Sequence, residues 1–133
     1  MKHKAEYRVY YENTDAGGIT YHGDYINFCE RARTDFMRDI GHSCRDLEEK
    51  DGVLFVIRHL EADYLMPSML EDMLSVESCV GEIKNTSFVM HQTIFRHDDV
   101  LFKMRITAVC VDPKGKPIRV PEKLRNDITT YCE

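Results

Sequence analysis

No stretch of the sequence approaches the ~20 consecutive apolar residues needed to cross a bilayer. Its opening, Met1-Lys2-His3-Lys4-Ala5-Glu6, also lacks the apolar core of a signal peptide. A transmembrane segment is therefore not expected, and a cytoplasmic protein is. Lysine and arginine never form a block able to neutralise a run of phosphates, and the formal net charge of −5 is spread along the chain. Nucleic acid is accordingly not an expected partner, although a few local cations suffice for a small phosphorylated ligand.

Cysteine pairs at metal or redox spacing are missing as well. Cys29, Cys44, Cys79, Cys110 and Cys132 are widely separated, odd in number and without a C-x-x-C pair, the pattern of reduced thiols. There is no H-E-x-x-H and no Cys/His cluster, so neither a metal site nor a cofactor is expected. A G-x-S-x-G elbow is absent, and no cysteine sits in a Cys/His signature, so a serine or cysteine nucleophile is not indicated. That restricts the chemistry. An amide or alkyl ester expels a poor leaving group, whereas a thiol of pKa ~8.5 departs readily as thiolate. A bare carboxylate beside an oxyanion site suits thioesters better than peptides.

What is present is a chain of 133 residues, 43% hydrophobic and 31% charged, a composition that folds. Residues 1–133 fit one domain, and an enzyme this small often borrows walls from a partner subunit, so an oligomer is expected. Residues Glu6 to Tyr11 fit a first strand ending in turn chemistry at Asn13 to Gly18. From Asp24 to Ile40, Tyr25, Ile26, Cys29, Ala32, Arg33, Phe36 and Ile40 recur at helical steps, with Phe28 and Met37 widening the stripe and Gly41 placed to end it. Ser43 to Lys50 fits a short second helix. Four strands follow: Val53 to Met66, Asp72 to Ile83, Thr86 to Arg96 and Val100 to Asp112. Short connectors make them antiparallel, and Phe88, Met90, Gln92 and Ile94, like Phe102, Met104, Ile106, Ala108 and Cys110, give each strand one face for the helix. A short strand at Pro117 to Val120 and a helical turn after Pro121 complete the reading. The simplest arrangement is α+β, one long helix wrapped by a curved antiparallel sheet.

The chemistry concentrates in Tyr10-Tyr11-Glu12-Asn13-Thr14-Asp15-Ala16-Gly17-Gly18-Ile19-Thr20-Tyr21-His22, a carboxylate in a glycine-bearing loop just before the helix. Asp15 reads equally as a turn or helix cap and as an ionised base or nucleophile. Gly17 and Gly18 permit close ligand approach or simply a turn. If the helix begins near His22 to Asp24, the His22 and Gly23 amides are unpaired first-turn donors that can hold an oxyanion. The His22 ring itself could donate, assist proton transfer or only pack. Glu30, Arg31 and Arg33 are read as surface pairing along the helix, and Met66, Met69 and Met73 as core or interface filler. Thr86 and Ser87 offer hydroxyls to a ligand or to a turn. Arg58 and Arg119 are candidate phosphate contacts, chosen for the cations an acidic chain must supply.

Val9-Tyr10-Tyr11-Glu12-Asn13-Thr14-Asp15-Ala16-Gly17-Gly18-Ile19-Thr20-Tyr21-His22, with Tyr25, Glu30-Arg31-Ala32-Arg33-Thr34, Val111-Asp112-Pro113 and Lys116-Pro117, resembles the hot-dog-fold acyl-CoA thioesterases related to 4-hydroxybenzoyl-CoA thioesterase. The likeness is strongest to their Tol-Pal-associated branch in Gram-negative bacteria. It implies a helix wrapped by five or six strands, a homodimer or dimer of dimers, and active sites at the subunit boundary. By that resemblance Asp15 is the catalytic aspartate, the His22 amide polarises the thioester carbonyl, Tyr11 assists, Tyr21 lines the pocket, and Thr86-Ser87 approach the ligand across the boundary. Thr20 and Cys29 stand where an aliphatic and a larger residue are usual. The implied activity is hydrolysis of acyl-CoA to free acid and coenzyme A. Its rivals are a dehydratase or hydratase acting on acyl thioesters, and a non-catalytic acyl-CoA-binding protein linked to lipid synthesis or envelope proteins.

Overall fold

The apolar stripe folds as α1 (His22–Asp39) in the computed structural model, which describes residues 1–131. Tyr25, Phe28, Cys29, Ala32, Phe36 and Met37 are all buried, one continuous side of the helix. Gly41 ends it at φ 89°, donating to the Arg38 carbonyl at 3.0 Å while His42 donates to that of Met37 at 2.8 Å. This paired cap requires a left-handed residue at that point, which glycine supplies without strain. α2 (Cys44–Asp51) starts where the Ser43 hydroxyl accepts the Asp46 amide at 3.2 Å.

Five strands, β1 (His3–Arg8), β2 (Leu54–Tyr64), β3 (Met73–Ile83), β4 (Ser87–Arg96) and β5 (Asp99–Val111), form one antiparallel sheet in the order β1-β3-β4-β5-β2. α1 lies over β1, β3, β4 and β5, and the core forms between them, with Phe28, Phe36, Phe102, Leu74, Ile94 and Ile106 wholly buried. This is the α+β hot-dog arrangement expected. α3 (Glu122–Ile128), the helical turn foreseen after Pro121, buries Leu124 and Ile128 against the same core. No helix among the described residues is long and apolar enough to cross a membrane. Cys132 lies outside them.

Two elements differ from expectation. β1 begins at His3 and ends at Arg8, because the Tyr10 amide is taken by the Asn13 side chain at 2.8 Å and Tyr11 opens a 3-10 turn. The polar run His3-Lys4 hid this strand: His3 is buried because its Nε2 meets Asp39 Oδ2 at 2.7 Å and its ring packs edge-on to Phe36 at 5.4 Å. Residues Pro117 to Val120 form no strand, only an isolated bridge from Pro117 to Val111. Pro117 brings no N–H, and Pro121 stops the segment from extending.

β2 is an edge, bonded only to β5. Its register slips by one residue between Ile57 and His59, leaving Arg58 as the bulged position. The slip puts Leu60, Ala62 and Tyr64 opposite Ile106, Met104 and Phe102, on the helix-facing side with Ile57. Ile57, Leu60 and Tyr64 are nevertheless exposed, because α1 leaves most of this edge uncovered and meets it through Tyr64 and His22.

β1 is clipped to α1 by the Tyr7 hydroxyl, which donates to Asp35 Oδ2. Burial, then the Asp35 hydrogen bond and charge, push the Tyr7 phenol well above its ordinary pKa. At Asp35 burial acts upward, but hydrogen bonds from Tyr7 and Arg38 outweigh it and hold the carboxyl below its ordinary value. The phenol stays protonated in the folded chain where the unfolded one ionises. Its contribution is thus complete below about pH 10 and lost as pH rises further; that of Asp35 is complete above about pH 4 and lost as pH falls. Urea denaturation from pH 8 to 11 is expected to show wild type losing stability above pH 10 more steeply than Tyr7→Phe, and parallel curves would show that the clip carries no such linkage.

Candidate active site

Between β1 and α1 the chain is folded back on itself by Asn13. This buried side chain accepts the Tyr10 amide and donates to Asp24 Oδ2 at 3.3 Å, while its carbonyl accepts the Tyr21 amide at 2.7 Å. Both ends of the loop are thereby tied to the first turn of α1. Thr14 and Thr20 bridge across the neck, the Asp15 amide donates to Ile19, and the Gly18 amide donates to the Asp15 carbonyl at 3.1 Å. Gly18 sits at φ 83°, a conformation other residues adopt only with strain. Asp15 Oδ1 accepts the Gly17 amide at 2.8 Å, and the side chain is exposed. Its turn-forming role is therefore real, and it occupies one of the two carboxylate oxygens.

The start of α1 carries no side-chain cap: Tyr21 is the N-cap residue, and its side chain accepts nothing from the helix. The His22 and Gly23 amides precede any acceptor within the helix, so their dipoles face outward. The Tyr21 ring is folded over this end. A Cβ at Gly23 would lie 2.6 Å from Tyr21 Cε2, so glycine is what lets the ring close down. Tyr21 also stacks at a tilt on the His22 ring at 4.4 Å. From β2, the Tyr64 hydroxyl donates to the His22 carbonyl at 2.7 Å, fixing the edge strand to the helix start. A cleft of about 320 Å³ opens here, bounded by Thr20, His22, Tyr25, Tyr64, Leu65 and Met66. Below it, the Thr20 and Tyr25 hydroxyls both meet the Ser68 hydroxyl at 2.7 Å, and Thr20 and Ser68 are buried. This network gives the Thr20 hydroxyl its buried partner.

The predicted site residues divide into separate groups. Asp15, Gly17 and Gly18 share the loop, and Tyr21 and His22 share the helix start, but Asp15 does not line the cleft of the single chain. Tyr11 lies in the 3-10 turn, 81% exposed, and does not line it either. Arg58 and Ser87 meet in a different groove, about 370 Å³ on the outer sheet face, with His59, Lys84 and Arg105. Thr86 does not line that groove; its carbonyl accepts the Cys110 amide at 2.8 Å. Arg119 lies apart, bonded to Asn85 and paired with Glu122.

One expectation is corrected. Arg33 does not pair along the helix surface but reaches across to Gln92, and Arg31 lies over the Phe28 ring at 5.6 Å. Of the two alternatives for Met66, Met69 and Met73, core is excluded because all three are exposed, and interface filler stays open. Burial pushes the Cys29 thiol up to about 12, which leaves it unsuited to nucleophilic work. Sequence reasoning missed Asn13, Tyr64 and Ser68. Only Asn13, inside the turn cluster, carried a local signal.

A helix wrapped by an antiparallel sheet, with a carboxylate loop leading into an uncapped helix start, defines a hot-dog enzyme of the thioester-hydrolysing class. The chain belongs to the thioesterase-like superfamily, whose model matches residues 9–128. It is 39% identical over 119 residues to the acyl-CoA thioesterase YbgC of Haemophilus influenzae, covering 89% of this chain and 88% of that protein. It is equally similar to the acyl-CoA thioester hydrolase YbgC of Escherichia coli, with 88% of each covered. Among solved structures, a probable thioesterase from Bartonella henselae superposes with a TM-score of 0.88 at 30% identity, covering 91% of this chain and all of that one. A 1,4-dihydroxy-2-naphthoyl-CoA thioesterase from Synechocystis shares the fold at TM-score 0.88 and 19% identity, with 96% of each chain covered.

Asn13→Ala strips the Tyr10 amide and Asp24 of a partner in a half-buried site. It is expected to cost about 1–3 kcal/mol in urea denaturation. An unchanged midpoint would mean that the loop holds its shape without it.

Proposed function

We propose that the protein hydrolyses acyl-CoA to the free acid and coenzyme A, with residues 1–133 acting as one thioesterase domain. The reading is carried by Asp15, seven positions ahead of an uncapped helix start, in a chain whose relatives are named acyl-CoA thioesterases. The His22 amide, seconded by that of Gly23, donates to the developing oxyanion. Acting as base, Asp15 takes a proton from water as the water oxygen bonds to the carbonyl carbon. The tetrahedral intermediate then collapses, the C–S bond breaks, and the thiolate leaves and recovers a proton. Acting as nucleophile, the carboxylate oxygen bonds to the carbonyl carbon, the C–S bond breaks and the thiolate leaves; water then opens the acyl anhydride, restoring the Asp15 carboxylate, releasing the acid and supplying the proton the thiolate takes up. In both routes the helix end works before and after bond cleavage on the same oxygen. Tyr11 assists from the adjoining turn, and Tyr21 forms a wall.

The minimal unit in this reading is a dimer made through the β2 edge. Supporting it are the unpaired outer side of β2 and the helix-facing but exposed Ile57, Leu60 and Tyr64, continued by Leu65, Met66 and Met69. A second copy would cover this strip and close the cleft at the start of α1. The cations Arg58, Lys84 and Arg105, with Ser87, suit the coenzyme A phosphates delivered from a neighbouring subunit. Membership of the Tol-Pal-associated branch, a cytoplasmic location and a peripheral link to lipid synthesis or the envelope are the finer parts of the same reading.

Asp15→Asn keeps an oxygen for the Gly17 amide but loses the basic carboxylate. Thiol release from acyl-CoA is expected to fall about 10²–10⁴-fold with the melting temperature nearly unchanged, and wild-type turnover would remove Asp15 from the chemistry. Leu60→Lys is expected to shift the molar mass in light scattering to that of a monomer and to lower activity with it. A variant that remains oligomeric would exclude this edge as the interface.

A further inference from the structure

The seam between α1 and β2 holds a second cavity, and the helix-start site does not account for it. α1 and β2 run in opposite directions along this seam: Tyr64, at the end of β2, touches His22, whereas Met37, near the end of α1, shares a cavity with Phe55 at the beginning of β2. That cavity, about 340 Å³, is walled by Met37, Val53, Phe55, Phe88 and Met90. Arg33 lines it too. Glu30, Arg45 and Glu48 also border it, and all three are exposed.

Arg33 is unusual in this setting. Its Nη1 donates to Gln92 Oε1 at 2.9 Å, and among the described residues no carboxylate lies within ion-pair distance of it. Gln92, 1% exposed, gives its Nε2 to the Cys29 carbonyl at 2.8 Å and the Ser78 hydroxyl at 3.0 Å. A carbonyl can only accept, so the amide nitrogen must face Cys29 and the amide oxygen must face Arg33. The guanidinium is thus aimed by a partner that cannot turn. One neutral acceptor satisfies only part of its fork of five donors. Arg33 is partly buried, has Glu30 as its coulombic neighbour on the same helix and no carboxylate in contact, and so keeps donors that a ligand anion can take. The partial burial is also visible in the guanidinium pKa, which it lowers.

His22 lines one cavity and Arg33 the other, and both lie on one stripe of α1. His22, Ile26, Cys29 and Arg33 follow each other at three- and four-residue steps. From His22 to Arg33 is eleven positions, about 16 Å of helix axis, and helical side chains lean back toward the N-terminus. The Arg33 guanidinium meets Gln92, whose amide nitrogen holds the Cys29 carbonyl, seven residues or about 10 Å of axis from His22, a span that an extended eight-carbon chain of about 9 Å approaches.

We infer that this cavity receives the far end of the acyl group and that Arg33 binds a carboxylate there, so the enzyme favours CoA thioesters of dicarboxylic acids over those of plain fatty acids. The inference rests on the thioesterase reading above. Its partner in selectivity is the apolar wall, which accepts the methylenes between the two carboxyl carbons. Glu30 and Glu48 border the same cavity and oppose an anion there, so Arg33 and Arg45 must outweigh them.

The test compares two eight-carbon substrates, suberyl-CoA and octanoyl-CoA, by thiol release from the full chain. Wild type is expected to show kcat/KM at least about tenfold higher for suberyl-CoA, the worth of one charge-assisted bond. Arg33→Met is expected to abolish or invert that ratio, and Arg33→Lys, which keeps the charge, to retain part of it. A wild-type enzyme that treats both alike, or prefers octanoyl-CoA, overturns the inference while leaving the thioesterase reading intact. Failure to cleave either thioester sinks the thioesterase reading instead. In that case, free suberate and octanoate are compared as ligands in thermal melts: selective stabilisation by suberate that Arg33→Met loses upholds the anion site, and equal shifts overturn it. Should Arg33→Met fail to fold, the wild-type ratio and Arg33→Lys decide the matter.

Discussion

A single helix has too little width to cover the sheet it packs on, and most of the protein's shape follows from that mismatch. Five strands set about 4.8 Å apart span about 20 Å, whereas a helix with its side chains is about 10–12 Å across. Curvature lets α1 reach β1, β3, β4 and β5. β2 is left over. Its inner face is apolar, yet Ile57 and Leu60 stay exposed and Tyr64 is only partly covered, by His22, Tyr25 and Phe102. The seam along this uncovered edge is where both inner cavities open. Concavity, a free edge and an exposed apolar strip are thus one consequence of unequal widths.

Within that frame the loop before α1 is held rather than merely placed. Asn13 bonds to both flanks, Gly18 supplies the left-handed residue, and Asp15 spends one oxygen on the turn. The helix end is left without a side-chain cap, and Tyr21 and Gly23 together make the cover that a capping residue would otherwise provide. A helix start usually recruits Ser, Thr, Asp or Asn to satisfy its amides. Omitting one here keeps donors available to a ligand, the usual signature of an anion-holding helix terminus.

The long helix, its Gly41 stop and the four strands after Gly52 were legible because each carries a strong periodic signal across ten or more residues, with turn residues at the joints. β1 was misplaced because its inward residues are His3, Ala5 and Tyr7. The first owes its buried position to Asp39 and the third to Asp35, both on a helix far away in sequence. Residues 117–120 look extended, but two prolines leave too few donors for a ladder. At the candidate site, the turn around Asp15 and the start of α1 could be read from local spacing, which left the role of Asp15 open between cap and base. Tyr64 and Ser68 could not, since they reach the helix start only through the folding of strands some 40 positions downstream. Arg33 was assigned to the surface because its helical neighbours include Glu30; the partner that actually holds it, Gln92, comes from the middle of β4.

The irregularity at Arg58 has an implication for how this lineage can vary. Because one supernumerary residue sets the parity of everything after it in β2, losing or gaining a single codon there would turn Leu60, Ala62 and Tyr64 to the opposite side at once. The hydroxyl that grips His22 would leave with them. Substitutions along the strand are each absorbed locally, but its length is not negotiable, and aligned relatives sharing this architecture should differ here in letters and not in gaps.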